Sequence, residues 1–326
     1  MAKSRRRPKT PGKRPQRDDE RVAEPATEDT GEQNESPEVT PSTPAAQKTS
    51  PPWWLFAAIA GIVCLVAYTQ YSASSGEQIE DIGLTGVAPP PEALGVRIIN
   101  RFPHDREAFT QGLLWHEGHL YESTGLRRHS TLRRVELETG AVLESRALED
   151  RLFAEGLARV GDLLYQLTWE RGEAHVWTLD GFEHRRTLNY DGEGWGLCHD
   201  GEHLVMSDGS ARLTFRDPTS FRVRRVVRVR ESGRPVDQLN ELECVDGVVW
   251  ANVWHEDRIL RIDPTDGRVT GVVEVPDLLE GEEDWDTDVL NGIAWIPDRG
   301  HFVITGKRWP RLFEVDFVPL DELEGE

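Results

Sequence analysis

Ten residues at two equivalent positions of a repeated unit carry the chemistry available to this 326-residue chain. The first position holds Gln111, Glu155, Trp195, Asn240 and Asn291, and the second holds Gly125, Trp169, Gly209, Trp254 and Lys307. Together they offer one carboxyl, one ammonium, side-chain amides and indoles, with glycines that leave room. Burial among indoles disfavours the charged form of a lone carboxyl, so the pKa of Glu155 should rise and the group could both take and give a proton. Lys307 opposes that rise. An apolar concavity with a few placed polar groups is the usual form of a ligand pocket. The plainer reading is that such residues only satisfy strand ends through ordered water; three tryptophans beside one glutamate favour the pocket. The histidines are scattered, no cluster has metal-ligand spacing, and no serine or cysteine has a base partner, so neither cofactor nor metal is expected.

The unit that places these residues recurs five times: QGLLWHEGHLYESTG from Gln111, EGLARVGDLLYQLTW from Glu155, WGLCHDGEHLVMSDG from Trp195, NELECVDGVVWANVW from Asn240 and NGIAWIPDRGHFVITGK from Asn291. Each reads as a strand, a Gly- or Asp-containing hairpin and a second strand, followed by a third strand and, in four units, a fourth. Four antiparallel strands recurring every ~40–50 residues is the pattern of propeller blades. The last unit stops after three strands, and VRIINRF from Val96 can supply its fourth. The expected fold is all-β, a five-bladed β-propeller over 96–318, with an acidic tail at 319–326. The start of each first strand and the end of each second strand then share one rim, where the ten residues converge.

The chain has 38 basic and 58 acidic side chains, a net charge of −20. The acidic excess lies in the repeat region and repels phosphate backbones, which argues against nucleic acid as a partner. Residues 1–52 are rich in Pro, Thr, Glu, Lys and Arg, and read as a disordered cytoplasmic tail. WWLFAAIAGIVCLVAYTQY, 53–71, is uncharged and about long enough to cross a ~30 Å hydrocarbon core, with Trp53, Trp54, Tyr68 and Tyr71 where an aromatic belt would sit. The upstream basic cluster would keep the N-terminus in the cytoplasm, giving a single-pass signal anchor and an exported propeller. A cleaved signal peptide is the competing reading, but its leader would be unusually long. Residues 72–95 read as a linker. Of three cysteines, Cys64 lies in the apolar run; Cys198 and Cys244 sit two and three positions past aligned strand starts. In ideal strands they point to opposite faces, which argues against a bridge.

FTQG at Phe109, YESTGL at Tyr121, EGL at Glu155, LYQLTW at Leu164, EGWGL at Glu193, MSDG at Met206, GRPV with LNELE from Gly233, ANVW at Ala251, LNGIAW at Leu290 and TGKRWPRLFEV at Thr305 occur in order. In these motifs the chain resembles the plant-type glutaminyl-peptide cyclotransferases, which also have bacterial members. The resemblance covers nearly all of 96–318 and nothing before it. It implies a five-bladed propeller enzyme that converts an N-terminal glutamine to pyroglutamate with loss of ammonia, without catalytic zinc. It marks Glu155 as the acid and base, with Phe109, Gln111, Trp169, Trp195, Asn240, Trp254 and Lys307 lining the site. Ala154 stands where the family usually has glycine, and Arg127-Arg128 replaces its usual Tyr-Gly.

In that reaction the substrate's own amine attacks its own carboxamide, so one carboxyl can take a proton from one nitrogen and give one to the other. Gln111, Asn240 and the indole N–H groups are expected to bind the carboxamide and its oxyanion. The acidic stretch EGEEDWDTD from Glu280 is expected to overhang the rim and attract a cationic peptide terminus, or to be merely a solvated loop. The alternative function is a membrane-anchored, non-catalytic propeller that binds peptides or small ligands. A metal-dependent lactonase-type hydrolase ranks below it, because the channel positions offer only one carboxyl. Partners are peptides with N-terminal glutamine, and a ring with its ends sewn together is expected to be a monomer.

Overall fold

The computed structural model describes residues 89–323. Alternating apolar residues and tight turns make these almost entirely antiparallel sheet. β1 (Glu92–Pro103) begins inside the stretch read as linker. Three separate four-stranded sheets follow in chain order. They are β2 (Thr110–His116), β3 (His119–Thr124), β4 (Thr131–Val135) and β5 (Val142–Ala147); β6 (Ala154–Val160), β7 (Leu163–Thr168), β8 (Glu173–Thr178) and β9 (His184–Asn189); and β10 (Leu197–His199), β11 (Leu204–Met206), β12 (Arg212–Arg216) and β13 (Val223–Arg228). A small hairpin of β14 (Arg230–Glu231) and β15 (Arg234–Pro235) comes next.

The remaining strands are β16 (Leu239–Val245), β17 (Val248–Val253), β18 (Arg258–Ile262), β19 (Val269–Glu274), β20 (Leu290–Ile296), β21 (His301–Gly306) and β22 (Arg311–Pro319). They form one eight-stranded sheet in the order β16-β17-β18-β19-β1-β22-β21-β20. Only β1 and β19 pair in parallel, through Glu92–Gly271 and Leu94–Val273, so the sheet divides there into two antiparallel halves. β1 runs antiparallel to β22 from Leu94–Pro319 to Pro103–Arg311 and supplies the fourth strand that the last repeat lacks.

The hairpins follow from their turn residues. Glu117 and Gly118 both have positive φ, as do Asp246 and Gly247, the two-residue turn whose twist matches antiparallel strands. The repeated glycine at the start of the inner strands has a different cause. A Cβ on Gly112 would lie 2.5 Å from Leu157 N, one on Gly156 2.5 Å from Leu197 N, and one on Gly196 2.0 Å from Asn240 O. Inner strands of successive sheets therefore meet backbone to backbone, which any side chain would prevent.

Apolar clusters fill the space between successive sheets. Leu114, Tyr121 and Leu132 meet Leu157, Leu164 and Trp177, while Val205, Leu213 and Phe215 meet Leu242, Val249 and Leu260. Each such fully buried side chain contributes roughly 1.5–3 kcal/mol. In the second cluster Cys198 and Cys244 form a disulfide, with Cα atoms 5.5 Å apart. That corrects the expectation of no bridge. Opposite side-chain directions separate two residues within one sheet, but adjacent sheets stack front against back, so opposite directions bring these two sulfurs together.

The single-pass localisation is corrected as well. Among the described residues no helix is long and apolar enough to cross a membrane. The helix α1 (Leu320–Leu323) rises about 6 Å, against about 30 Å of hydrocarbon. The disordered tail, the apolar run 53–71 and most of the linker lie outside the described residues.

Candidate active site

The first repeat position is turned inward by broken pairing. Register slips between Thr110 and Gly112, Ala154 and Leu157, Leu239 and Leu242, and Leu290 and Ile293. Gln111, Glu155, Asn240 and Asn291 stand in these four bulges, which re-aim their side chains out of the sheet alternation. Trp195 has no bulge, because it precedes the first paired residue of β10.

A cavity of about 280 Å³ is lined by Phe109, Gln111, Glu155, Trp169, Trp195, Asn240, Trp254 and Lys307, joined by Phe153, His255 and Asp288. All eight residues expected from sequence therefore lie together. Phe109, Phe153 and Trp169 form a chain of edge-to-face rings at 6.1 and 5.6 Å. Trp195 and Trp254 make another at 5.4 Å. Gly125 and Gly209 make room for rings rather than for ligand: a Cβ would stand 2.4 Å from Phe153 Cε1 and 2.7 Å from Trp195 Cζ2, respectively.

Glu155 is 5 % exposed, and its Oε1 accepts a hydrogen bond from Gln111 Nε2 at 2.8 Å. Asn291 lies behind the cavity rather than in its wall. Its amide donates to Gln111 Oε1 at 3.3 Å and to the Thr110 carbonyl at 2.9 Å, and so fixes the face that Gln111 turns to the carboxyl. Burial drives the Glu155 pKa well above the usual carboxylate range; Lys307 pulls it down and Glu193 adds to the rise. Lys307 is 4 % exposed, and burial lowers its pKa against the opposing pull of Glu155 and Asp288. Its ammonium stands 5.0 Å from the centre of the Phe109 ring and makes no ion pair among the described residues.

Two expectations need correction here. The Trp169 and Trp195 indoles both donate to one oxygen of Glu193, each at 2.9 Å, so neither N–H is free for a ligand. Glu193 was missed as a group that orients both rings. Lining donors left without a partner among the described residues include the Asn240 amide, whose buried Oδ1 is also unsatisfied, the Trp254 indole and the Lys307 ammonium. Deeper in, Glu241 is a second, fully buried carboxyl. It accepts from the Leu113 N–H at 3.2 Å and from the Ile293 N–H at 2.8 Å, holding β16 to both β2 and β20. The channel thus has more than one carboxyl, but Glu241 is occupied by backbone. Among the described residues no three His, Cys, Asp or Glu side chains are grouped to hold a metal ion.

Of the missed lining residues, Phe153 had a signal: it stands two residues before Glu155, as Phe109 stands two before Gln111. Asp288 ends the acidic stretch, and His255 had no signal beyond following Trp254. The acidic stretch itself is not a free field of charge. Glu280, Glu282, Asp284 and Asp286 pair with Arg101, Arg311, Arg106 and Arg308 at 3.1, 2.9, 2.7 and 2.8 Å, so most of its charge clamps the loop to the body.

The arrangement offers one buried carboxyl with a raised pKa, an ammonium and an amide without partners among the described residues, and ring walls. Residues 63–317 match the family model described as glutamine cyclotransferase. Over 225 residues the chain is 39 % identical to a glutaminyl-peptide cyclotransferase of Arabidopsis thaliana, across 68 % of this chain and 70 % of that one. It is also similar to the crystal structure of Myxococcus xanthus glutaminyl cyclase, at 44 % identity and a TM-score of 0.67, across 71 % of this chain and 100 % of that one.

Proposed function

The chain belongs to the glutamine cyclotransferase family and converts N-terminal glutamine to pyroglutamate with release of ammonia; we propose that the cavity around Glu155 does this with one carboxyl and no metal ion. The observation that carries the reading is a buried carboxyl fixed by Gln111 in the same cavity as an Asn240 amide that nothing satisfies. Buried polar groups are otherwise almost always paired, and a carboxamide substrate would pair this one.

The α-amino nitrogen of the bound glutamine attacks its own γ-carboxamide carbon, and a C–N bond closes the five-membered ring. In this cycle Glu155, whose protonated form burial favours, gives its proton to the departing carboxamide nitrogen and takes one from the attacking nitrogen. Ammonia leaves, and Glu155 ends as it began. The oxygen that becomes an oxyanion is held by Lys307, the Asn240 amide and the Trp254 N–H. A single well-placed donor of this kind is worth about 2.7–4 kcal/mol in the transition state. A carboxamide oxygen would also give the buried Lys307 ammonium an acceptor that the described residues do not supply. The ring walls exclude water and hold the glutamine folded, which supplies most of the remaining advantage as proximity.

We further propose that the three four-stranded sheets and the two halves of the eight-stranded sheet are the five blades of a monomeric propeller. The close approach of successive inner strands at Gly112, Gly156 and Gly196 supports this, as does the bond from Asn291 of the last unit to Thr110 of the first. The direct test of the activity is ammonia release from a Gln-initiated peptide by the full chain, with and without a chelator. Chelator-resistant release is expected. Chelator-sensitive release would mean that a metal ion takes part, and no release from folded protein would leave a binding module.

A further inference from the structure

The most exposed large apolar side chain among the described residues is Trp285, at 91 %. Isolated exposed apolar residues are ordinary, but this one is carried by a clamped turn. Thr287 N–H donates to the Asp284 carbonyl at 3.3 Å and Asp284 N–H to Thr287 Oγ1 at 2.8 Å, which closes a turn with Trp285 at its second position. The residue on each side is clamped: Asp284 by Arg106 at 2.7 Å and Asp286 by Arg308 at 2.8 Å. Arg308 stands beside the cavity wall, for it follows Lys307 and its N–H donates to the carbonyl of Ala108, next to Phe109. Three residues beyond Trp285, Asp288 enters that wall and its N–H bonds to the Lys307 carbonyl at 3.0 Å. The turn that carries the exposed indole is thus clamped three residues from the cavity wall.

Ring closure uses both the α-amine and the side chain of the first residue, so only its carbonyl leads out of the cavity. Each following residue adds at most about 3.3–3.6 Å of reach, which places the second and third residues of a peptide at the mouth. We propose that Trp285 is a specificity-determining residue that receives the side chain after the N-terminal glutamine, favouring aromatic and cationic side chains over acidic ones. This deepens the proposed function and rests on it. An indole face accepts aromatic rings and cations alike. Asp284 and Asp286 are offset by Arg106 and Arg308, but Glu283 and Asp288, which make no ion pair among the described residues, disfavour an acidic side chain. A broad depression beyond Trp195, lined by Asp208, Arg228 and Asp237, is the competing exit.

The test compares kcat/KM for ammonia release by the full-length wild type, Trp285→Ala and Trp285→Phe on glutamine amide and on tripeptide amides with Phe, Lys, Gly or Glu in second place. Trp285→Ala should lower kcat/KM about five- to tenfold for the Phe and Lys peptides, through KM. It should leave glutamine amide unchanged, and Trp285→Phe should recover the Phe peptide. Equal loss on every substrate, glutamine amide included, would make Trp285 merely structural. No change on any peptide would send the chain out over the Asp208–Asp237 depression. Either result overturns the proposal while leaving the cyclase reading intact, whereas a wild type that releases no ammonia from any of them removes both.

Discussion

Removing the Cys198–Cys244 bridge tests how the sheets that carry the site are joined. The two cysteines are 46 residues apart, and closing a loop of that length in the unfolded chain removes about 13 cal/mol/K, or ~4 kcal/mol at 25 °C. In a folded unit of this size each kcal/mol moves Tm by about 2–4 °C, so the double variant Cys198→Ala/Cys244→Ala should melt ~8–16 °C below the wild type. Because both sulfurs lie among packed Val, Leu and Phe side chains, alanine adds a small packing loss in the same direction. Guanidinium unfolding followed by tryptophan fluorescence, with and without reductant, separates the two effects: reductant should lower the wild type toward the variant and leave the variant unmoved. Activity at 25 °C should survive, since Asn240 stays on β16 and Trp195 just before β10, and both strands still pack. Coincident unfolding of variant and oxidised wild type would refute the reasoning, because the bridge would then be absent or without effect on the unfolded state.

Gln111→Leu removes the donor to Glu155 Oε1; a hydrogen bond between neutral groups is worth about 0.5–1.5 kcal/mol, so kcat/KM should fall roughly 2- to 13-fold. The alkaline limb of its pH–rate profile should move upward, because that donor favours the ionised form and its loss raises the pKa of a group that acts protonated; an unmoved limb would count against the contact. Gly156→Ala places a Cβ 2.5 Å from Leu197 N and 2.6 Å from Trp195 O; backbone cannot yield there, so the variant should lose several kcal/mol, typically ~3 or more, or fail to fold, and a wild-type melting temperature would contradict the close approach. Glu155 has a raised folded-state pKa caused mainly by burial, so the stability linked to its proton is complete below the usual carboxylate range and is lost as pH rises through the raised value. Glu155→Gln should therefore melt higher than the wild type at neutral and alkaline pH and by a smaller margin near pH 4, and the opposite ordering would show that Glu155 is ionised without penalty.

The repeat was legible because its glycine marks the points where inner strands touch, and because one unit recurs with its turns in the same place. The site was legible for the same reason: equivalent positions of a repeat end at the same rim, so Glu155, Trp169, Asn240 and Lys307 could be grouped without knowing any distance. Phe153 was within reach of that argument, which stopped one alternation short of it. Pairings between distant segments were not legible. That Glu193 would hold two indoles, or that four arginines from elsewhere would clamp the acidic stretch, depends on three-dimensional neighbours that residue types do not name. The disulfide was misjudged through geometry: side-chain parity was applied as if both cysteines shared a sheet. For the single-pass localisation, composition suggested a span at 53–71 that no helix among the described residues supplies.

The most direct test of the central claim is single-turnover pyroglutamate formation by Glu155→Gln beside the wild type, on a Gln-initiated peptide at saturating substrate. Loss of the proposed proton-transfer group should lower the rate by roughly 10²–10⁴-fold while peptide binding persists through Asn240, Trp254 and Lys307. A variant that forms pyroglutamate within a few-fold of the wild-type rate would contradict the account, because the proton would then travel by a route that does not pass through Glu155.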